Sequence, residues 1–272
     1  MSLEFRQLAQ RLAPELFQWY RSYRLRKFFR AQFGVSQRLF REAFYPNKSK
    51  PAILTGPFRG MTYLDETVWG PITPKWAGSY EIELTDIIEQ NIKSGYDRIL
   101  NLGCAEGYYA VGFAWRDQAP EVLAFDLDPF ARKQARRLAQ LNHVSDRIRI
   151  YGECTQIRLN ELVKRRTLVL ADIEGCEVSL LDPTGVPRLK EADLLIEVHE
   201  DHNLTAGGTV ELRLARRLDD SHTIERRVSL DRGVWIDKHQ ALWQGKVTRE
   251  QIASALDEAR SAPQVWLWAK AK

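Results

Sequence analysis

Short apolar runs separated by longer polar segments fill the chain between residues 98 and 198. The runs occupy residues 98–102, 122–125, 148–151, 168–171 and 194–198. The polar segments between them are long enough for helices, and this alternation is typical of parallel strands joined by crossover helices. The pattern therefore predicts an α/β fold built on a doubly wound, mostly parallel sheet.

The end of the chain mixes helix and strand signals. We predict helices at 209–218 and 248–259 and strands at 223–229 and 265–269. Thr248 and Gln251 are spaced as a capping box for the second of these helices. The two added strands bring the predicted sheet to seven strands.

The first 45 residues carry apolar and aromatic side chains at helical spacing. We interpret residues 1–45 as an N-terminal extension of two or three helices, with Pro14 in the first turn of the second helix. Residues 46–78 contain nine Pro and Gly residues, which exclude a long regular element. They also contain several aromatic residues, so we predict a connector that packs against the body and serves as a substrate or lid region.

Residues 79–272 are predicted to form the main domain. Its first helix is expected to begin at Ser79, with Glu81 and Glu83 favoured near the positive helix end, and Gly95 is expected to end it.

The net charge of +4 is distributed unevenly along the 272 residues. Residues 1–50 hold +8 and the rest of the chain holds −4, so a basic arm precedes a slightly acidic body. No apolar stretch approaches the ~20 residues of a membrane-spanning helix, and the N-terminus lacks a secretory apolar region, so we expect a cytoplasmic protein. Cys104, Cys154 and Cys176 show no paired spacing, which favours reduced thiols.

Ligands of an open α/β sheet bind at the carboxyl ends of the strands, so the residues after each strand are site candidates. After the first strand, Gly103, Ala105 and Gly107 form a small-residue turn that lets backbone approach a ligand closely. Asp126 follows the second strand, 19 residues after Gly107, where an acidic side chain accepts hydrogen bonds from ribose hydroxyls. Glu153, after the third strand, is a candidate contact for an adenine amino group. The order Gly-x-Ala-x-Gly differs from the dinucleotide fingerprint, which argues against a dinucleotide.

These segments resemble the class I S-adenosylmethionine (SAM)-dependent methyltransferases, and among them the FkbM-type group. Residues 100–110 resemble the first motif of the family, residues 122–129 its ribose-binding strand and residues 150–154 its adenine-side turn. The most specific match is Asp-Ile-Glu-Gly-Cys-Glu at residues 172–177, which resembles the Asp-x-Glu-Gly-x-Glu segment of FkbM-type proteins. Glu-Val-His at residues 197–199 resembles the Glu-x-His that closes their fifth strand.

The resemblance covers roughly residues 79–200, and the end of the chain is compatible with the antiparallel last hairpin of the class I fold. It departs from the family at Asn101, where an acidic residue is common, and at Ala105, where glycine is usual. It implies a Rossmann-like, seven-stranded sheet and SAM as the cofactor. The cofactor-binding residues predicted from the strand ends and the resemblance together are Asn101, Gly103, Cys104, Ala105, Glu106, Gly107, Tyr108, Asp126, Leu127, Glu153, Cys154 and Asp172.

Asp172, Glu197 and His199 are the predicted catalytic residues. Methyl transfer from a sulfonium is an in-line displacement, so the protein must mainly align the nucleophile. A hydroxyl acceptor profits from a base, and the ordinary pKa of histidine, about 6.5, suits His199 to that work near neutrality. Asp172 is expected to contact the methionine part of the cofactor or to orient the acceptor.

Residues 171–203 carry a net charge of −7, which suits a cationic sulfonium and repels a polyanionic substrate. Carboxylate and imidazole donors in this segment also make a divalent metal an alternative, which we do not favour. The candidate ligands are Asp172, Glu174, Glu197, His199 and His202.

The basic arm interleaves five cationic residues with four aromatic ones. They are Arg21, Arg24, Arg26, Lys27 and Arg30, and Tyr20, Tyr23, Phe28 and Phe29. We favour a helical cap whose aromatic side chains pack on the body while its arginines are solvated. Nucleic acid, an anionic membrane surface and a homodimer contact are the alternatives.

Three functions are therefore open. The leading one is an enzyme that methylates oxygen on a small molecule, sugar or natural-product intermediate, as the resemblance implies. The second is an RNA or other nucleic-acid methyltransferase recruited by the basic arm, against which the acidic segment counts. The third is a catalytically silent SAM-binding module.

Overall fold

The structure of the protein is a computed structural model that describes residues 13–116, 120–200, 208–260 and 262–272. Its strands are β1 (Arg98–Leu102), β2 (Glu121–Phe125), β3 (Ile148–Tyr151), β4 (Thr167–Ala171), β5 (Asp193–Val198), β6 (His222–Val228) and β7 (Val265–Ala271). They form one sheet in the order β3-β2-β1-β4-β5-β7-β6. The first five strands are parallel, and β7 runs antiparallel to both of its neighbours. This confirms the predicted doubly wound, mostly parallel seven-stranded sheet with an antiparallel final hairpin.

Helices cover the sheet on both faces. They are α1 (Pro14–Phe44), α2 (Thr73–Ala77), α3 (Thr85–Ser94), α4 (Tyr108–Arg116), α5 (Pro129–Leu141), α6 (Gln156–Leu162), α7 (Glu177–Leu180), α8 (Val210–Leu218), α9 (Gly233–Lys238), α10 (Gln240–Trp243) and α11 (Arg249–Leu256). Short 3-10 turns occupy Pro46–Lys48, Ile82–Leu84 and Pro187–Glu191. The predicted capping box between Thr248 and Gln251 is present at the start of α11.

The central strands β1, β4 and β5 are buried along nearly their whole length because both of their faces are covered. Successive side chains of a strand point to opposite faces. Ile99 accordingly packs in one apolar cluster and Leu100 in the other, one on each side of the sheet. The cluster that contains Ile99 also holds Phe58, Trp76 and other buried side chains of residues 46–78, so the connector packs against the body.

The N-terminal extension differs from the two or three helices that we expected. Over the described residues α1 is one helix of 31 residues, with Pro14 at its start. Gly34 lies in its middle, where glycine costs about 1 kcal/mol relative to alanine. Phe33 and Phe40 are buried on either side of Gly34, and this tertiary packing holds the helix together across it. Residues 1–12 lie outside the described part of the chain.

The first helix of the main domain begins later than predicted, at Thr85 rather than Ser79. Glu81 has a left-handed backbone, with φ of 48°, and a 3-10 turn follows it. The reason is that Glu81 and Glu83 are buried ion-pair partners of Arg260 and Arg232, rather than residues of a solvated first turn. The predicted end of the helix is confirmed, because Gly95 caps it in the left-handed conformation.

No helix in the described residues is long and apolar enough to cross a membrane.

Candidate functional site

A cavity of about 630 Å³ opens at the carboxyl ends of the parallel strands. It is lined by residues that end or follow β1, β2, β4 and β5, among them Gly103, Asp126, Asp172 and Glu197. This is the position where an open α/β sheet binds its ligands, and the volume is in the ordinary range for a small-molecule site.

The turn after β1 passes very close to the chain that follows β4. Gly103 has φ of +76°, and a Cβ atom there would overlap the carbonyl oxygen of Asp172. The backbone N–H of Asp172 also donates a 3.0 Å hydrogen bond to the carbonyl of Leu102. Glycine at this position therefore lets the turn and Asp172 lie in direct backbone contact.

Asp126 is fixed by the backbone on both of its carboxylate oxygens. Oδ2 accepts a 2.8 Å hydrogen bond from the N–H of Ala105, and Oδ1 accepts a 2.8 Å hydrogen bond from the N–H of Asp128. Each oxygen keeps a further lone pair for a ligand. Burial raises the pKa of Asp126 to about 6, although the two backbone hydrogen bonds oppose this shift.

The cavity brings together seven of the residues predicted to bind the cofactor. They are Gly103, Ala105, Asp126, Leu127, Glu153, Cys154 and Asp172. The remaining five, Asn101, Cys104, Glu106, Gly107 and Tyr108, are not among the lining residues.

Glu106 lies outside the cavity because it is buried in an ion pair with Lys75 of the connector. Tyr63 and the backbone N–H of Val68 donate further hydrogen bonds to it, at 3.0 and 3.1 Å. Burial opposes ionisation of Glu106, but the Lys75 ammonium outweighs it and holds the pKa of Glu106 below its ordinary value. Glu106 is thus a structural charge that ties the connector to the turn after β1.

Packing accounts for three of the other four non-lining residues. Tyr108 belongs to an aromatic cluster with Phe58 and Tyr80, and Cys104 is buried. Gly107 allows close packing on α5, where an added Cβ would be 3.3 Å from that of Ala135. Asn101 is buried in β1, and neither of its side-chain polar atoms has a partner among the described residues.

All three predicted catalytic residues line the same end of the cavity. His199 Nε2 lies 3.6 Å from Asp172 Oδ1 and 3.8 Å from Glu197 Oε2. Its other ring nitrogen, Nδ1, forms a 2.7 Å contact with Glu177 Oε1. Glu177 is fully buried, so its contact with Nδ1 holds the imidazole ring of His199 in place.

The charges of this cluster differ from those that we expected. Burial raises the pKa of Asp172 to about 7, against the opposing effect of His199, and it raises the pKa of Glu197 well above its ordinary value. Burial lowers the pKa of His199, but the Glu177 hydrogen bond and the Asp172 charge outweigh it, and the result is about 9. At a pKa of about 9 His199 carries a proton at neutral pH, whereas we expected an imidazole with the ordinary pKa of about 6.5.

Among the described residues, three of the candidate metal ligands lie close enough together to bind one ion. Asp172, Glu174 and His199 can each bring one ligand atom within 4.8 Å of the others. Each of them also has a protein partner, since Asp172 pairs with His199, His199 with Glu177, and Glu174 with Arg21 at 3.3 Å. Glu197 is not part of this group, and His202 lies outside the described residues.

Several cavity residues come from segments that gave no motif. Arg260, near the end of the chain, contacts Glu197 at 3.1 Å and Glu81 at 2.7 Å. From α1, Phe29 lines the cavity, and Arg21 lies 4.6 Å above the Trp69 ring. No spacing in the sequence links these segments to the strand ends, so only the folded chain shows that they belong to the site.

Solved structures with a related chain path include several methyltransferases. The O-methyltransferase TomG from Streptomyces achromogenes, in complex with SAM, is 11% identical, with 71% of this chain and 80% of that chain covered and a TM-score of 0.46. An O-methyltransferase from Bacillus cereus in complex with SAH is 10% identical, with 71% and 81% covered and a TM-score of 0.46. YjhP from E. coli is 15% identical, with 85% and 98% covered and a TM-score of 0.43.

No family model matches the chain, and no curated protein matches it.

Proposed function

We propose that the protein is a SAM-dependent methyltransferase that transfers a methyl group to oxygen of a small molecule or glycan. The observation that carries this proposal is the shared cavity of Asp126, the Gly103 turn and Asp172. A nucleoside-binding carboxylate and a separate acidic cluster thereby face one another across a single small-molecule site.

The residues of the cavity fit SAM. The fixed Asp126 carboxylate has two free lone pairs, which suits the two hydroxyls of a ribose. Glycine at position 103 lets the turn after β1 pass directly against the backbone of Asp172, so both segments line the same cavity. Ionised Asp172 provides negative charge for the cationic sulfonium and ammonium groups. We place the adenine near Glu153 and the methionine part near Asp172.

When bound, SAM supplies an electrophilic methyl group for an in-line displacement. The chain contributes alignment and exclusion of water, and alignment alone can supply several kcal/mol of the barrier. Asp172 accepts the proton of the acceptor hydroxyl, because its raised pKa matches that task near neutral pH. The protonated His199 lies 3.6 Å from Asp172 and balances its charge. His199 therefore positions Asp172 and is not the base itself.

The acceptor class follows from the lining of the cavity. Glu174 adds negative charge beside Asp172, while Trp69 and Tyr80 provide aromatic surface. A polyanion is disfavoured by these acids, so a neutral hydroxyl compound with an apolar part fits better than RNA. The FkbM-type group remains our interpretation of the 172–177 segment.

Calorimetric titration of the full chain with SAM and with S-adenosylhomocysteine tests the proposal. We expect micromolar or tighter binding of both and none of NAD, which shares the ribose but not the sulfonium. Release of S-adenosylhomocysteine is then measured with phenols, sugars and carboxylic acids as acceptors. No SAM binding would refute the proposal, and methyl transfer to RNA alone would replace it with the nucleic-acid alternative. Binding without transfer to any acceptor would favour the silent module.

A further inference from the structure

The outward side of α1 is the largest concentration of exposed apolar side chains in the described part of the chain. Six of the eleven exposed large hydrophobic residues lie on this one helix. They are Leu16, Trp19, Tyr20, Tyr23, Phe28 and Val35, and they are 42% to 64% exposed. Their spacing repeats at three, four and seven residues, so most of them form one stripe along the helix. We call this stripe, with the cations beside it, the outer face of α1.

The expectation that the aromatic residues of the arm pack on the body is therefore wrong for Tyr20, Tyr23 and Phe28. The body instead holds the helix through other side chains. Arg26 lies 3.7 Å above the Phe130 ring, and Arg21 stacks on Trp69. Since these inner-face contacts fix how the helix is rotated, the aromatic stripe is directed away from the body.

The outer face is also cationic. Arg24, Lys27 and Arg38 are exposed, and within the described ranges none of them has an ion-pair or hydrogen-bond partner. Of the two acids of α1, Glu15 pairs with Arg132 at 3.0 Å, and Glu42 lies one helical turn from Arg38, so the three cations outnumber the acid near them. A long helix that presents aromatic residues and unpaired cations on one side matches the chemistry of an anionic bilayer surface.

We propose that the outer face of α1 binds an anionic lipid membrane. Trp19, Tyr20 and Tyr23 enter the headgroup region, where an amphipathic ring keeps its polar edge hydrated, and Phe28 enters with them as an apolar ring. Arg24, Lys27 and Arg38 face the lipid phosphates. The proposal is independent of the function proposed above, since it uses no residue of the cavity.

Two other partners for the outer face of α1, a second copy of the chain and single-stranded nucleic acid, agree less well with the same observations. In a symmetric contact between two copies the face would meet itself, which would place its unpaired cations against each other. Single-stranded nucleic acid uses aromatic rings for stacking, but the branched side chains of Leu16 and Val35 offer it neither stacking nor hydrogen bonds. Lipid accommodates both the aliphatic and the aromatic members of the stripe.

Sedimentation of the full chain with vesicles tests the proposal. The vesicles are of phosphatidylcholine alone or of phosphatidylcholine mixed with phosphatidylserine. We expect binding to the anionic vesicles, weakened by salt, and little binding to the neutral ones. Replacing the three cations together, as Arg24→Gln, Lys27→Gln and Arg38→Gln, is expected to weaken binding about 100-fold, or about fivefold for each cation.

A second variant tests the apolar half of the face. Tyr20→Ser, Tyr23→Ser and Phe28→Ser in one chain are expected to abolish vesicle binding. The matched control is Ile157→Ser on α6, which removes an exposed apolar side chain, 75% accessible, elsewhere on the surface. We expect the control to bind like the unchanged protein. Thermal unfolding followed by circular dichroism checks that every variant is folded.

Three results would overturn the proposal. The first is equal sedimentation with neutral and anionic vesicles, or none with either. The second is retention of poly-uridine, lost in the cation variant, without vesicle binding. The third is a concentration-dependent doubling of mass in analytical ultracentrifugation that the serine variant removes.

Discussion

The two sides of the cavity are built in different ways. The side after β1 and β2, which we call the nucleoside side, is held by backbone hydrogen bonds from Ala105 and Asp128 to Asp126. The side after β4 and β5, which we call the acidic side, is held by side-chain ion pairs. Its partners come from positions as far apart as Glu81 and Arg260.

This difference predicts how each side of the cavity responds to substitutions. The nucleoside side depends on about 25 consecutive residues and on backbone groups, so it tolerates side-chain changes around it. On the acidic side, Asp172, Glu197 and His199 determine each other's charge, so a change at one residue alters the others. We expect variants on the two sides to separate binding of the cofactor from turnover.

The largest effect is expected on the acidic side. Asp172→Asn keeps the size of the side chain but removes the proton acceptor, so kcat is expected to fall by about 10²- to 10⁴-fold. Calorimetry with S-adenosylhomocysteine is expected to show a much smaller change. Asp237→Asn, an exposed acid remote from the cavity, is the control. Equal losses of binding and turnover in Asp172→Asn would contradict the expectation that variants on the two sides separate cofactor binding from turnover.

Lys75→Met tests the charge that joins the connector to the nucleoside side. It leaves Glu106 buried without its cation, and breaking a buried pair costs about 3–5 kcal/mol of unfolding free energy. Because the pKa of Glu106 is lowered, the pair stabilises the protein at neutral pH, and this contribution is lost as pH falls through that pKa. Urea titration at several pH values measures both effects.

Arg249→Gln is the control for that experiment, because Arg249 and Asp237 form an exposed pair. We expect no measurable change in its unfolding midpoint. A loss in Lys75→Met no larger than in this control would mean that the connector is not held by its buried charge.

On the nucleoside side, Asp126→Asn is expected to weaken SAM binding by about 10- to 100-fold, since hydrogen bonds to a charged group are worth about 1.5–3 kcal/mol. The ordinary protein should also bind SAM more weakly as pH falls below about 6, where Asp126 becomes protonated. The variant should lack this dependence. Calorimetry between pH 5 and pH 8 tests both statements, and a variant that keeps full affinity would remove Asp126 from the site.

The pH profile of kcat/KM distinguishes the two candidate bases. If Asp172 accepts the proton, activity is present when Asp172 is ionised and is lost as pH falls through about 7. His199 favours the ionised form of Asp172, so His199→Gln is expected to move this limb to higher pH. An unmoved limb in His199→Gln would show that Asp172 does not titrate in it.

The smallest effect is expected from metal removal. Asp172, Glu174 and His199 already have protein partners, so incubation with EDTA is expected to leave SAM binding and turnover unchanged. Loss of turnover that Mg²⁺ or Mn²⁺ restores would establish the metal alternative.

Each of the seven strands was predicted to within two residues at both ends, six of them from runs dominated by apolar residues and β6 from a segment rich in charge. The nucleoside side was predictable for a related reason: Gly103, Ala105 and Asp126 lie close in sequence and follow two neighbouring strands. The spacing of these residues along the sequence was therefore enough to predict most of the nucleoside side.

The acidic side was only partly predictable. Asp172, Glu197 and His199 were identified from short segments, but the protonation of His199 depends on a buried Glu177 below it. The contribution of Arg260 depends on the antiparallel pairing of β7 with β5, which brings the start of β7 to the carboxyl end of β5. The rotation of α1 was not predictable either, because cations and aromatic residues alternate around the whole helix.

The buried contact between Lys75 and Glu106 limits how far the protein can be shortened. A fragment that begins at residue 79 would contain every strand and every residue of the nucleoside side. It would also leave Glu106 inside the protein with its negative charge uncompensated, and Phe58 and Trp76 would be missing from the main apolar cluster. The part of the chain that begins at residue 79 is therefore not a self-sufficient module, and insertion or fusion designs should retain the connector intact.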